Sequence, residues 1–256
     1  NPGKDRAMIF TPTYGMYGVA ASVNDIGIVK VPLDDTFNID LHAVKPWLKE
    51  DTLKLAFICS PNNPTGNCMN PETVETIIME FNGIVAIDEA YDGFSGKPSF
   101  GERIGEFDNL IVMQTFSKAM GLAAARVGMA FADADLLKYF FAIKPPYNIS
   151  TINQEAALLR LNEADAVARR VQSIITEREK LASRLTALPV VEKVWPSDSN
   201  FLLVRVKDAD YIYNTLAERK IIVRNRNREI PGCIRITTGT PEENEKLISE
   251  LESLSI

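Results

Sequence analysis

Long apolar runs are missing from this 256-residue chain: no stretch approaches the roughly 18 to 20 residues that span a bilayer, so the chain reads as soluble. Histidine is nearly absent. His42 stands alone, which removes most zinc and catalytic-triad chemistries and leaves it as an ordinary helix-surface residue. The three cysteines, Cys59, Cys68 and Cys233, lack C-x2-C spacing, and an odd count fits reduced, mostly buried thiols rather than a disulfide framework. Glycine and proline, 14 of each, are too few for collagen or a low-complexity tail. An excess of positive charge is missing too. With 28 Lys and Arg against 34 Asp and Glu, the net charge of −6 argues against nucleic-acid binding by phosphate neutralisation. The charged start is followed only by a short apolar stretch, residues 7–10, which is no secretory signal, so the cytoplasm is expected. The chain opens at Asn1 with no initiator Met, in what reads as the start of a strand, and a fragment or a processed product is expected.

What remains is an ordinary globular mixture, 46% apolar and 24% charged, in a length that suits one large domain or two smaller ones. Short β-rich runs at 7–10, 27–31, 53–59, 84–87, 110–115 and 127–131 alternate with helical patterns at 15–23, 41–49, 71–81 and 134–143. The runs are apolar on both faces, as buried parallel strands are. From 151 to 188 the pattern is helical, with a break near Asn162. Strands near 190–195, 201–206, 221–224 and 233–237 follow, with helices at 209–219 and 241–254. The predicted fold class is α/β: a mostly parallel central sheet with flanking helices over residues 1–160, then a connector helix and a smaller α+β domain over 161–256.

Three loops after buried strands carry the chemistry. The run 84–87 ends in Asp88-Glu89-Ala90-Tyr91, and ligand sites in open α/β sheets lie at the carboxyl ends of strands. A strand running into a polar loop would look the same. A nucleotide-hydrolysing Walker B strand would also end this way, but the G-x4-G-K-[ST] phosphate cradle that it requires is absent. The next strand ends at Thr115-Phe116-Ser117-Lys118, with Arg126 eight residues on, and offers an amine beside a potential phosphate cradle. Alone, Lys118 could equally be a surface lysine. A Ser-Lys acyl-transfer site is disfavoured because Thr115 occupies the S-x-x-K serine position and no K-T-G follows. The third loop, Ser60-Pro61-Asn62-Asn63-Pro64-Thr65-Gly66, is a plain β-to-helix turn when read by itself.

Together with Pro12-Thr13-Tyr14-Gly15-Met16-Tyr17 and Ile234-Arg235-Ile236-Thr237, these segments resemble, end to end, the fold-type I aminotransferases dependent on pyridoxal phosphate, and within them the histidinol-phosphate aminotransferase branch. The resemblance implies that Lys118 carries pyridoxal 5′-phosphate and shuttles a proton at the substrate α-carbon, while Asp88 faces the pyridine nitrogen. It implies that Asn63 and Tyr91 bond the phenolic oxygen, that Tyr14 lies over the ring, and that Thr115, Ser117 and Arg126 bind the phosphate. Arg126 could instead be a surface charge, a reading that its place between Ala-rich and apolar residues disfavours. Arg235 is implied as the substrate's anion partner, together with Tyr14; a phosphate ester would gain from a second cation, for which Arg224 is the candidate. Arg226 and Arg228, at strand period from Arg224, read instead as a solvated edge.

The implied reaction is amino transfer between histidinol phosphate and 2-oxoglutarate in histidine biosynthesis, by a homodimer acting on small molecules without nucleic acid, membrane or metal. Relatives carry an N-terminal arm and a Gly-Ser-Asp-Glu-like loop before the Pro-Thr-Tyr segment, so the large domain is expected to be N-terminally incomplete. An aromatic aminotransferase and a threonine-phosphate decarboxylase share the same cofactor floor and stay open, as does a non-catalytic fragment.

Overall fold

The chain is described here from a computed structural model that places residues 1–254. Six strands, β1 (Arg6–Thr11), β2 (Gly27–Pro32), β3 (Leu53–Cys59), β4 (Ile84–Asp88), β5 (Leu110–Thr115) and β6 (Gly128–Ala132), form one sheet in the order β2-β1-β3-β4-β5-β6. All neighbours are parallel except β5 and β6. Alternation along the strands sorts residues to two faces. Met8, Phe10, Ala56, Ile58, Val85, Ile87, Leu110 and Val112 point into the main core. That core is closed by α2 (Leu41–Val44) and α3 (Pro71–Glu80), which contribute Val44 and Val74, Ile77 and Ile78. Asn70 caps α3 by accepting from the Thr73 N–H, and Pro71 fills its first turn, where a missing N–H costs nothing. The opposite face carries Ile9, Phe57 and Cys59, covered by Tyr17 from α1 (Met16–Val23).

After β6 come α4 (Ala134–Ile143), α5 (Thr151–Leu161) and the long α6 (Ala164–Thr186), with the expected break at Asn162. The second sheet holds β7 (Val191–Val194), β8 (Phe201–Val206), β9 (Arg224–Asn225) and β10 (Cys233–Thr237) in the antiparallel order β7-β8-β10-β9. Leu181 and Leu185 of α6, Ile212 and Leu216 of α7 (Ala209–Glu218), and Leu247 and Leu251 of α8 (Pro241–Glu252) bury its inner face. A reciprocal Thr240–Glu243 capping box starts α8. No described helix is long and apolar enough to cross a membrane.

Four expectations need correction. The helix expected over 41–49 stops at Val44 and continues as a 3-10 turn, Lys45–Trp47, because Pro46 has no N–H for an α-helical bond. The strand expected at 221–224 pairs only from Arg224. Lys220 sits at φ +61 and the Ile221 N–H returns to the Leu216 carbonyl, so the chain is still turning off α7 at that point. β6 is not a strand buried on both faces: it is an antiparallel edge strand with an exposed or half-exposed surface. Arg226 and Arg228 do not continue a strand beyond Asn225, since Arg226 turns to pair with Glu229. Of the free thiols, Cys59 and Cys233 are buried as expected and Cys68 is half-buried.

The two sheets are joined where the Asn-Pro-Thr-Gly turn meets the segment before β8. The Asp198 N–H donates to the Gly66 carbonyl at 2.7 Å, and the Asp198 carboxylate accepts from the Cys68 N–H and the Lys97 ammonium, both at 2.8 Å. Gly66 has φ +89, and a Cβ there would lie 2.6 Å from the Ser197 hydroxyl. Gly66→Ala should therefore destabilise the fold by at least about 1–2 kcal/mol through the left-handed backbone alone. The check is a urea titration, in which the midpoint falls while the slope is unchanged.

Candidate active site

Parallel pairing brings the carboxyl ends of β1, β3, β4 and β5 to one edge of the sheet, and each runs into a segment singled out above. Cys59 is in register with Asp88, and Asp88 with Met113, so the loops at 60–66, 88–91 and 115–118 sit side by side. Antiparallel pairing of Thr115 with Gly128 returns Arg126 to the same edge. Asp88 shares its face with Ala86, and Thr115 with Ile111 and Met113, opposite the residues of the main core.

Asp88 accepts two hydrogen bonds, one on each oxygen: the Tyr17 phenol donates to Oδ2 at 2.6 Å and the Ala90 N–H to Oδ1 at 3.0 Å. An unpartnered buried hydroxyl costs about 1–3 kcal/mol, so the buried phenol of Tyr17 must find an acceptor, and Asp88 supplies it. Glu89 points the other way. It is buried against the Ser99 hydroxyl, the Phe100 N–H and the Gln114 amide, and takes no part in the site.

The Lys118 ammonium lies 5.2 Å from the centre of the Tyr91 ring. Desolvation, followed by the charges of Arg235 and Arg126, pulls its pKa below the ordinary lysine value, against the opposing pull of Asp88. A depressed amine has a larger neutral, nucleophilic fraction near neutrality. Tyr91 is buried edge-on against Phe201, 5.1 Å between ring centres, and burial raises its phenol pKa so that it stays a donor. Thr115 and Ser117 pair their hydroxyls at 3.0 Å. Arg126 is exposed rather than tucked away. It sits at φ +53, with Nη1 donating to the Ala123 carbonyl.

The second sheet contributes Arg235, whose Nη1 donates to Asn63 Oδ1 at 2.7 Å and whose guanidinium lies 4.7 Å from the centre of the Phe201 ring. Its Nε is buried with no hydrogen-bond partner. Arg224 is its cross-strand neighbour, directly in register, and a like-charged pair so placed is destabilising on its own. Lys118, Arg126, Arg224 and Arg235 form no ion pair among the described residues, whereas Arg226 is neutralised by Glu229. Tyr14 is half-exposed, edge-on to Tyr17, beside a cleft of about 470 Å³ bounded by Thr13, Gly15 and Glu229.

All ten anticipated residues thus lie on these loops or on β9 and β10. Tyr17 has no role expected from the sequence, and Phe201 carries no signal there beyond its place in a strand. The contact to Asp88 spans 71 positions, and the only local hint was a second tyrosine one helical turn after Tyr14.

The sequence matches the family described as Aminotransferase class I and II over residues 1–251. It is 44% identical over 254 residues to a histidinol-phosphate aminotransferase of Cytophaga hutchinsonii, a match that covers 98% of this chain and 73% of that protein. One from Parabacteroides distasonis is 45% identical over 257 residues, covering 100% and 74%. The fold is similar to the crystal structure of histidinol-phosphate aminotransferase from Clostridium acetobutylicum, with TM-score 0.90 at 23% identity over 97% of this chain and 77% of the other. It is also similar to the Sinorhizobium meliloti enzyme in complex with pyridoxal-5′-phosphate, with TM-score 0.86 at 23% identity over 97% and 70%.

If the guanidinium of Arg235 helps to depress Lys118, Arg235→Gln should raise the lysine pKa, since removing a nearby positive charge favours the protonated amine. The pH dependence of Lys118 labelling by a neutral amine reagent, read by peptide mass in the cofactor-free chain, checks this. The midpoint should move up in the variant, and an unmoved midpoint removes Arg235 as a cause.

Proposed function

The chain belongs to the class I and II aminotransferases, and from that premise we propose that it transfers the amino group of histidinol phosphate to 2-oxoglutarate, using pyridoxal 5′-phosphate. The donor set fits this cofactor. Two hydroxyls and an unpaired arginine stand beside a lysine of depressed pKa, and a carboxylate is held on the neighbouring strand end. Bound there, the cofactor supplies an electron sink for the bond broken at the substrate α-carbon.

In this reading Lys118 holds the cofactor through its amine and moves the proton at the α-carbon. Asp88 keeps a proton on the ring nitrogen, a charge-assisted bond of about 1.5–3 kcal/mol. Thr115, Ser117 and Arg126 bind the cofactor phosphate, the guanidinium matching paired oxygens. Asn63, its oxygen occupied by Arg235, has its amide N–H groups to donate to the phenolic oxygen together with Tyr91. Tyr14 covers the ring face.

The observation that favours a phosphate ester as amino donor is the opposed pair Arg224 and Arg235, two arginines in register that form no ion pair among the described residues. A dianionic phosphate compensates both, whereas a single carboxylate needs only one. Residues 1–160 then form the cofactor domain and 161–256 the connector and substrate-gripping domain, in a cytoplasmic homodimer.

With cofactor added, the chain should show a visible absorption band, and borohydride should fix the cofactor's mass on Lys118. Lys118→Ala should lose both and keep the fold, and Asp88→Asn should lose most of the turnover. Arg224→Gln should raise KM for histidinol phosphate by about tenfold or more, the equivalent of roughly 1.4 kcal/mol. Faster turnover of an aromatic amino acid than of the phosphate ester would assign the chain to a different substrate.

A further inference from the structure

The Asp88 carboxylate hangs on a torsion that has no sharp rotamer preference, so its orientation must come from hydrogen bonds. The Ala90 N–H, two residues on, fixes Oδ1 to the turn that Asp88 itself begins. That bond leaves the plane of the carboxylate able to swing. The second bond arrives from another element: the Tyr17 phenol on α1 reaches Oδ2 at 2.6 Å.

Tyr17 is itself immobilised. Its ring stacks on Phe57 of β3, 4.8 Å between centres and 5° from parallel, and meets Tyr14 edge-on at 5.6 Å. Burial, then the neighbouring Cys59 and Asp88, raises the phenol pKa far above its ordinary value, so the hydroxyl remains a donor. The buried Cys59 thiol, pushed up to about 12 chiefly by burial, brings no competing charge. A rigid donor aimed at one oxygen and a backbone donor on the other leave the carboxylate a single orientation.

We infer that Tyr17 is a positioning residue of this site, orienting the Asp88 carboxylate toward the ring nitrogen of the cofactor. The inference rests on the reading of Asp88 given above. It also gives α1 a functional reason for lying across this face: one helix start places Tyr14 over the ring and, one turn later, Tyr17 behind the carboxylate.

Tyr17→Phe removes one oxygen and leaves both ring contacts, so the fold should persist. A role that acts through Asp88 predicts a thermodynamic cycle that closes on that residue. Cofactor dissociation constants are read by titrating cofactor-free protein and following visible absorption, with kcat and KM measured in parallel. Tyr17→Phe should weaken cofactor binding about tenfold, or roughly 1.4 kcal/mol, when Asp88 is present. It should lower kcat while leaving KM for the amino donor unchanged. In an Asp88→Asn background the same substitution should change neither quantity by more than about twofold.

Equal losses in the two backgrounds would make Tyr17 a packing residue only and overturn the inference, as would no loss in either. A native chain that binds no cofactor, or an Asp88→Asn variant with undiminished turnover, would instead overturn the role given to Asp88, and the inference would fall with it.

Discussion

Parity along four adjacent parallel strands governs this site. In β4 the residues Val85 and Ile87 must face the main core, so Asp88 must face the other side and Glu89, one residue later, must turn back. A one-residue slip would exchange them and carry the entire apolar set of the strand out of the core. The burial of Val85 and Ile87 therefore holds Asp88 in place more firmly than any polar contact does. The same constraint acts on β3, where Ala56 and Ile58 send Cys59 to the face shared with Tyr17, and on β5, where Leu110 and Val112 send Thr115 to the face shared with Asp88.

Onto this fixed frame the chain sets a concentration of positive charge that the protein does not neutralise. Lys118, Arg126, Arg224 and Arg235 gain nothing from one another. Desolvation and then neighbouring cations lower both Lys118 and Arg235 from their ordinary values, Arg235 and Arg126 acting on Lys118, and Arg226 and Arg224 acting on Arg235. Elsewhere the molecule pairs its arginines freely, as with Arg103 between Glu75 and Glu106 and Arg184 with Glu245. A fold selected for stability alone would not leave a half-buried cation such as Arg235 without a carboxylate. A fold that binds two phosphorylated molecules must, because any resident carboxylate would compete with the ligand.

The strand-loop logic was legible in the sequence because it depends on local signals: a buried apolar run, then Asp88, Lys118 or Asn63 at its end. The starts of the helices at 71 and 241 were legible as well, and the structure confirms them with the Asn70 cap and the Thr240–Glu243 capping box. Contacts between elements were not. Nothing near Tyr17 indicates that its hydroxyl ends at Asp88, and nothing near Phe201 indicates that its ring takes Tyr91 on one side and Arg235 on another. The edge character of β6 was hidden because its composition, Gly-Met-Ala-Phe-Ala, matches that of a buried strand. The exposure of Arg126 was hidden likewise: apolar neighbours in sequence do not by themselves bury a side chain.

The loop that supplies Asn63 also sets how the two sheets meet. Gly66 is bonded to Asp198, Cys68 to the carboxylate of the same residue, and Asn63 to Arg235, all within six residues of one turn. The guanidinium proposed to grip the substrate's acidic group is thus tied to the amide proposed to contact the cofactor. A shift of the second sheet that moved Arg235 away from Asn63 would withdraw positive charge from Lys118 as well, since Arg235 is the largest electrostatic contribution to its depressed pKa. Seating an anion on Arg235 has the same sign, because compensating that charge favours the protonated lysine. In the proposed reading, substrate capture and lysine basicity are therefore linked through one side chain: an acidic group bound at Arg235 would make the amine at the end of β5 a better proton acceptor.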